Sequence, residues 1–299
     1  MQAPRLGIIT PIVILLTRSH NQWEIDAGVE DLVAVARAAD RHGYHHLTAS
    51  EHVAVPVDVE PRRGKRYWDL LATLSYLAAV TERIRLATNM VVLPYHHPLE
   101  VLKHYRTLDR LSNGRLILGV GVGSLRPEFE LLGKPFEGRG DLADDALRAI
   151  LAGWGELVPT YEGPHYSFGD FVVDPTPVQE RPPIWVGGRT RRSLRRAVEL
   201  GDAWVPFLLE PGEVAEMITW ARSLPSWYER DGSLDVVIWP EPAVDPLTEP
   251  DRIRAQAAEI LALGATILNY RFRSDSLEQH LEQMAALPEV LAEVGFGQD

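Results

Sequence analysis

Pro182-Pro183-Ile184-Trp185-Val186-Gly187-Gly188-Arg189-Thr190-Arg191-Arg192-Ser193 is the stretch that decides the architecture. The two prolines end an irregular segment. Ile184 to Val186 reads as a short buried strand. Gly187-Gly188 lets the backbone turn with no side chain to obstruct a close ligand. Thr190 then stands where an N-cap belongs, ahead of Leu194, Ala197 and Val198 at helical spacing. A strand, a glycine turn and a capped helix form one unit of a parallel α/β fold. The free N–H groups at such a helix start favour an anion such as phosphate. Taken alone, the stretch is also an ordinary strand-to-helix turn on an arginine-rich surface.

Working outward, the same unit recurs. Strands are predicted at Leu6–Ile9, His46–Ser50, Arg83–Val92, Leu116–Val120, Ile184–Val186, Ala203–Val205, Asp235–Trp239 and Thr266–Tyr270. Helices are predicted at Val29–His42, Trp68–Val80, Pro98–Leu111, Asp141–Trp154, after Thr190, at Gly212–Leu224, Pro250–Leu263 and Ser276–Ala286. Proline at position 98 suits a first helical turn, and Gly43 suits a helix end. Eight strand–helix pairs close a (β/α)8 barrel, which needs about 250 residues. The chain has 299, so residues 1–299 read as one domain. The proline- and aromatic-rich stretch 155–183 reads as an inserted hairpin or extended excursion between the fourth helix and the fifth strand.

Composition narrows the function classes. The net charge is −12, against a general nucleic-acid binder, which needs a basic face. There is no cysteine, so disulfides, iron–sulfur clusters and thiolate zinc sites are excluded. No apolar run is long enough to span a membrane, and a soluble, cytoplasmic protein is expected.

In such barrels the active site lies at the C-terminal ends of the strands. Thr10-Pro11, Glu51-His52, Asn89-Met90, Gly121-Val122-Gly123-Ser124, Gly187 to Thr190, Pro206, Trp239 and Asn269-Tyr270 fall there. His52 is the acid/base candidate, because imidazole titrates near neutral pH, with Glu51 placed to orient it. A strand-end cap facing water is the plain alternative for that pair. His45-His46 and His96-His97 lack a third ligand at a recognisable spacing, so they read as packing or solvated residues and no metal site is expected. Gly121-Val122-Gly123 resembles the start of a dinucleotide fingerprint, but no helix is expected to open after it. Trp23, Tyr67, Trp68, Tyr95 and Trp239 supply an apolar or aromatic lining, or core. Arg62 to Arg66 reads as a rim loop.

Several motifs together resemble the bacterial-luciferase-like superfamily of flavin- and deazaflavin-dependent oxidoreductases. They are Ser50-Glu51-His52, Thr88 to Pro94 with His97-Pro98, Leu111 to Leu116 with Gly119 to Gly123, and Pro182 to Gly188 followed by Leu200 to Trp204. Their order and spacing match over roughly residues 5–210. The closest look is to the branch using the deazaflavin coenzyme F(420). The resemblance implies a ring over the strand ends and a non-proline cis peptide at Asn89–Met90 backing it. It places the catalytic His at His52, the phosphate loop at Gly187, Gly188, Arg189 and Thr190, and a cofactor-contacting loop at Gly121, Gly123, Ser124 and Pro127. Proline lacks a side-chain donor, so this chain departs from the pattern at Pro127. The function implied is hydride transfer between coenzyme F(420) and a small organic substrate, in a homodimer. An FMN-dependent monooxygenase and a non-catalytic flavin-binding protein are the alternatives. A metal-dependent lyase on the same barrel ranks last, because the strand ends are not rich in carboxylates.

Overall fold

Eight short parallel strands close on themselves in chain order. They are β1 (Arg5–Ile8), β2 (His46–Ala49), β3 (Arg85–Thr88), β4 (Leu116–Gly121), β5 (Ile184–Gly187), β6 (Ala203–Val205), β7 (Asp235–Ile238) and β8 (Ile267–Tyr270). The computed structural model describes residues 3–17 and 19–297. The seam pairs Arg5 to Ile8 with Ile267 to Tyr270. The barrel expected from the eight strand–helix pairs is therefore the observed fold.

The strands are apolar on both faces because both are covered. Inside, Ala87, Ile117, Trp185, Ala203, Val205, Val237 and Ile267 form one cluster. Outside, residues such as Leu47, Leu86, Leu118, Val186 and Leu268 pack under the helices. The interior mixes one large ring with small residues. Trp185 meets His46 edge to face at 4.7 Å between centroids, and Gly7, Ala87 and Gly119 leave the room.

The covering helices are α1 (Val29–Arg41), α2 (Leu70–Val80), α3 (Pro98–Leu111), α4 (Arg139–Gly153), α5 (Arg191–Leu200), α6 (Pro211–Ala221), α7 (Pro250–Ala262) and α8 (Leu277–Ala292). Asp69 caps α2 by accepting from Ala72 N at 2.7 Å. The last helix runs further than the sequence reading placed it, through Pro288. An internal proline costs about 3 kcal/mol, but Met284, Leu287 and Leu291 are all fully buried on this helix. Each is worth about 2 kcal/mol or more, so burial carries the helix past the proline.

Two further differences bear on the site. The third strand stops at Thr88 and resumes only at Val91–Val92, and the Asn89–Met90 peptide between them is cis. A short helix (Arg126–Leu131) does open after Gly123, where none was expected.

The inserted excursion contains a hairpin, Tyr161–Glu162 against Ser167–Phe168. Two buried aspartates anchor the segment to the barrel. Asp145 accepts from Tyr161 Oη at 2.6 Å and from His165 N at 2.8 Å. Asp109 accepts from Val178 N, Gln179 N and Gln179 Nε2 at 2.7–2.9 Å.

Candidate active site

The ends of β3, β4 and β5 are brought together by missing side chains. A Cβ on Gly119 would stand 2.0 Å from Thr88 O. Thr88 Oγ1 instead donates to Gly119 O and accepts from Gly119 N, both at 2.7 Å. Met90 fills the notch this leaves. A Cβ on Gly187 would lie 2.8 Å from Met90 Cγ, and one on Gly121 would lie 3.3 Å from Met90 Cβ. Asn89 is buried; its N donates to Ala49 O at 2.7 Å and its O accepts from Ser50 Oγ at 2.6 Å. Asn89, Met90, Gly121 and Gly187, separated widely in sequence, thus share one patch of floor at the barrel mouth.

The Gly187–Thr190 turn follows. Gly188 has φ +144°, a conformation reserved for glycine, and a Cβ there would stand 2.5 Å from Ser193 Cβ. Its O accepts from Trp204 Nε1 at 2.9 Å. Thr190 caps α5: its Oγ1 accepts from Ser193 N at 3.2 Å, and Ser193 Oγ accepts from Thr190 N at 3.1 Å. The capping box leaves the other first-turn N–H groups facing outward. The arginine run divides its work. Arg192 pairs with Asp141 and Asp144, and Arg196 pairs with Asp144. Arg191 and Arg195 lie against the Trp220 ring. Arg189 stays exposed beside Phe207, its Cζ 5.7 Å from that ring, with no carboxylate partner among the described residues. The turn therefore fits a phosphate, and Arg189 is the arginine free to reach it.

The second glycine turn, Gly121 to Ser124, is built differently. Gly123 has φ +71°, and a Cβ would meet Phe129 at 2.7 Å and Val92 at 2.8 Å. Arg139 Nε donates to Gly123 O at 3.1 Å. Ser124 Oγ accepts from Arg63 Nη2 at 3.0 Å. Its expected cofactor contact is thus met here by a residue of the rim loop, and Pro127 sits in the first turn of the short helix.

That short helix carries the residue the sequence reading missed. Glu128 is 1% exposed, and its Oε2 accepts from His52 Nδ1 at 2.7 Å. It also accepts from Val53 N at 2.6 Å, Ala54 N at 3.2 Å and Tyr95 Oη at 2.9 Å. Burial pushes this carboxyl upward, but the His52 hydrogen bond and charge, with the Ala54 N–H and Tyr95, hold it below the usual carboxylate range. Burial and the neighbouring Glu128 charge raise the Tyr95 hydroxyl. Tyr67 meets the His52 ring edge-on at 4.5 Å.

Glu51 does not orient His52, contrary to the expectation from their adjacency. Neighbours in an extended segment point apart, and Glu51 turns toward β3 instead. Its Oε2 accepts from Val92 N at 2.6 Å and its Oε1 pairs with His96 Nε2 at 2.7 Å. Burial lowers His96, and the Glu51 hydrogen bond and charge outweigh it, leaving His96 above its usual 6.5. The histidine pairs serve structure: His45 Nδ1 and His46 Nδ1 share a proton at 2.9 Å, and His97 caps α3.

Arg62 to Arg66 divides in the same way as the second arginine run. Arg66 donates to Glu24 O at 2.7 Å and Ile25 O at 2.5 Å, fixing the loop to the β1 side. The aromatic residues also divide. Trp23 Nε1 donates to Ser274 Oγ at 3.1 Å and its ring packs on His280, making it core. Tyr67 and Tyr95 belong to the His52 cluster.

The family described as luciferase-like monooxygenase matches residues 5–291. This chain belongs to that family. The luciferase-like chain is 30% identical over 272 residues to an uncharacterized protein of Mycobacterium tuberculosis, covering 85% of this chain and 92% of the other. It superimposes with a TM-score of 0.78 on a monooxygenase from Streptomyces bottropensis, at 20% identity, covering 97% and 99% of the two chains. It superimposes with a TM-score of 0.72 on the coenzyme F(420)-dependent tetrahydromethanopterin reductase of Methanopyrus kandleri, at 16% identity, covering 97% and 100%. Members of the luciferase-like family are flavin- or deazaflavin-dependent oxidoreductases, and this chain is an enzyme of that class. Among the described residues no helix is long and apolar enough to cross a membrane.

Proposed function

We propose that this enzyme transfers a hydride between coenzyme F(420) and a small organic substrate, with His52 as the proton donor or acceptor. The carrying observation is the His52–Glu128 pair: an imidazole at the barrel mouth whose side chain is 15% exposed, fixed by a buried carboxylate 2.7 Å away. Glu128 accepts a hydrogen bond from Nδ1–H, so Nε2 is the nitrogen left for the substrate. When a carbonyl substrate is reduced, Nε2–H gives its proton to the substrate oxygen; in the oxidising direction Nε2 accepts it. Glu128 stabilises the charged imidazolium formed in that second case and fixes its ring plane.

The cofactor's phosphate is assigned to Gly187, Gly188, Arg189 and Thr190, and its ring to the floor made by Asn89, Met90, Gly121 and Gly187. When bound, the deazaflavin supplies the hydride-carrying carbon and little reactivity toward oxygen. The chain's own part is to hold the ring, exclude water and move one proton. Glu51 acts one step back, through His96 and the Val92 N–H, by holding the β2 and β3 ends together. We further propose that the enzyme works as a homodimer.

The second reading is an FMN-dependent monooxygenase, favoured by the higher TM-score to the Streptomyces bottropensis monooxygenase. Fluorescence titration with the deazaflavin and with FMN separates the two. Micromolar binding of the deazaflavin alone supports hydride transfer; preference for FMN moves the assignment to oxygen chemistry. His52→Ala is expected to keep cofactor binding and lose roughly 100- to 10,000-fold in turnover. Unchanged turnover removes His52 from the mechanism.

A further inference from the structure

On the β8–β1 side of the mouth, Arg271 has no carboxylate partner among the described residues. β8 ends at Tyr270, and the chain stays extended beyond it, with Arg271 O accepting from Val244 N at 2.9 Å. Side chains alternate along such a segment. Ile267 lies inside the barrel, so Arg271, four residues on, shares its face and stands over the mouth. Arg271 is half-buried, and it lines a narrow cleft with Thr10, Pro11, Ser19 and Glu24. The cleft offers about 260 Å³ of free space, its opening included.

Neutral groups hold what charge would otherwise hold. Arg271 Nη1 donates to Ser19 Oγ, an uncharged acceptor. Glu24, the carboxylate of the same cleft, is buried and occupied by neutral donors. Its Oε2 accepts from Ile12 N at 3.1 Å, and its Oε1 accepts from Asn21 N and Asn21 Nδ2, both at 2.8 Å. Burial disfavours the Arg271 charge, and the charges of Glu241 and Glu24, neither paired with it, offset this only in part. A guanidinium taken partly out of water is costly until an anion meets it.

Arg271 also belongs to the surroundings of His52. Burial raises the Tyr67 hydroxyl, and the charges of Arg63 and Arg271 both oppose that rise. The Tyr67 ring is the one that meets His52 at 4.5 Å. Arg63, on the rim loop, donates to Ser124 Oγ at 3.0 Å and likewise has no carboxylate partner among the described residues. We propose that Arg271, with Arg63, binds a carboxylate of the substrate beside His52, so that the enzyme acts on a small organic acid. The planar fork of each guanidinium suits the two oxygens of a carboxylate. The proposal rests on the reading of His52 above and names the substrate class for that same site.

Benzoate and benzamide share a shape and differ in charge, so together they probe this contact. Wild type, Arg271→Gln and Arg63→Gln are titrated with both by calorimetry, and separately with the deazaflavin and with FMN. Wild type is expected to bind benzoate roughly ten-fold tighter than benzamide. Arg271→Gln should abolish that preference and Arg63→Gln should reduce it, with cofactor affinity unchanged in both. Equal binding of the two probes by wild type, no benzoate binding, or a preference that survives Arg271→Gln overturns the proposal. Loss of deazaflavin affinity in step with benzoate gives the arginines to the cofactor and overturns it as well. Arg63 lies on the rim, so Arg63→Gln decides the matter if Arg271→Gln does not fold. Failure of wild type to bind either cofactor, with the benzoate preference intact, overturns the cofactor reading and leaves the anion site standing.

Discussion

The molecule has two glycine turns at neighbouring strand ends, alike in sequence and opposite in use. Gly121 to Ser124 and Gly187 to Thr190 each follow a buried strand, and each contains a glycine with positive φ. The first is closed by the protein itself. Arg139 takes the Gly123 carbonyl and Arg63 takes the Ser124 hydroxyl. Its helix is six residues long and lacks a side-chain cap bond. That helix serves to deliver Glu128 beneath His52. The second turn opens onto a ten-residue capped helix and keeps Arg189 free. The phosphate is therefore proposed for the second turn, where Arg189 has no carboxylate partner among the described residues.

Substitution at the two glycines tests this contrast most severely. Gly188→Ala should cost roughly 3 kcal/mol, since it combines a glycine-only φ with a clash against Ser193. Gly123→Ala should cost roughly 1–2 kcal/mol, because left-handed backbone is less forbidding and Phe129 and Val92 are side chains that can shift. Denaturant unfolding gives both values. Only Gly188→Ala should also abolish cofactor affinity out of proportion to stability. Equal losses of affinity would make the two turns equivalent and the contrast void.

The arginines come next. Arg189→Ala should weaken FMN and deazaflavin binding roughly ten-fold, as expected for a charge-assisted contact of about 1.4 kcal/mol, without moving the melting temperature. Arg192→Ala should leave affinity unchanged and cost under about 1 kcal/mol, because its pairs with Asp141 and Asp144 are half exposed. The reverse result would assign the phosphate to the α4–α5 surface.

The smallest effect concerns pH. Glu128 lies below the ordinary 4.5 in the folded state. A depressed folded value adds stability that is complete above 4.5 and is lost as pH falls through the lower folded value. Glu128→Gln should flatten that acid limb in a stability–pH profile. It should also lower turnover through His52 while leaving phosphate affinity in place. An unchanged acid limb would remove the ionised carboxylate from under His52.

The barrel was legible because its signals are local. Each strand is a short apolar run and each helix is a periodic run with a cap or a glycine stop. The turn at Gly187 and Gly188 was legible because glycine marks sharp backbone in residue type; the special peptide at Asn89–Met90 was legible only through the resemblance to the luciferase-like family. Glu128 was not, since 76 residues separate it from His52 and its helix is too short to show periodicity. Nor was the division among the arginines, because a partner such as Asp141 is identified only once α4 and α5 are packed together. Glu51 misled for the same reason: adjacency along the chain is not adjacency in space when successive side chains diverge.

The β1–β8 seam has a consequence for the order of assembly. Asn21 Nδ2 donates to Phe272 O across a sequence separation of 251 residues. Contacts of that range are formed late, after the chain entropy between them has been given up. During synthesis the floor at Met90 and the Gly187–Thr190 turn leave the ribosome long before Asn269 does. A nascent chain can therefore present the Gly187–Thr190 turn before it has a closed barrel, and the β7–β8–β1 wall is the last part of the mouth to be made.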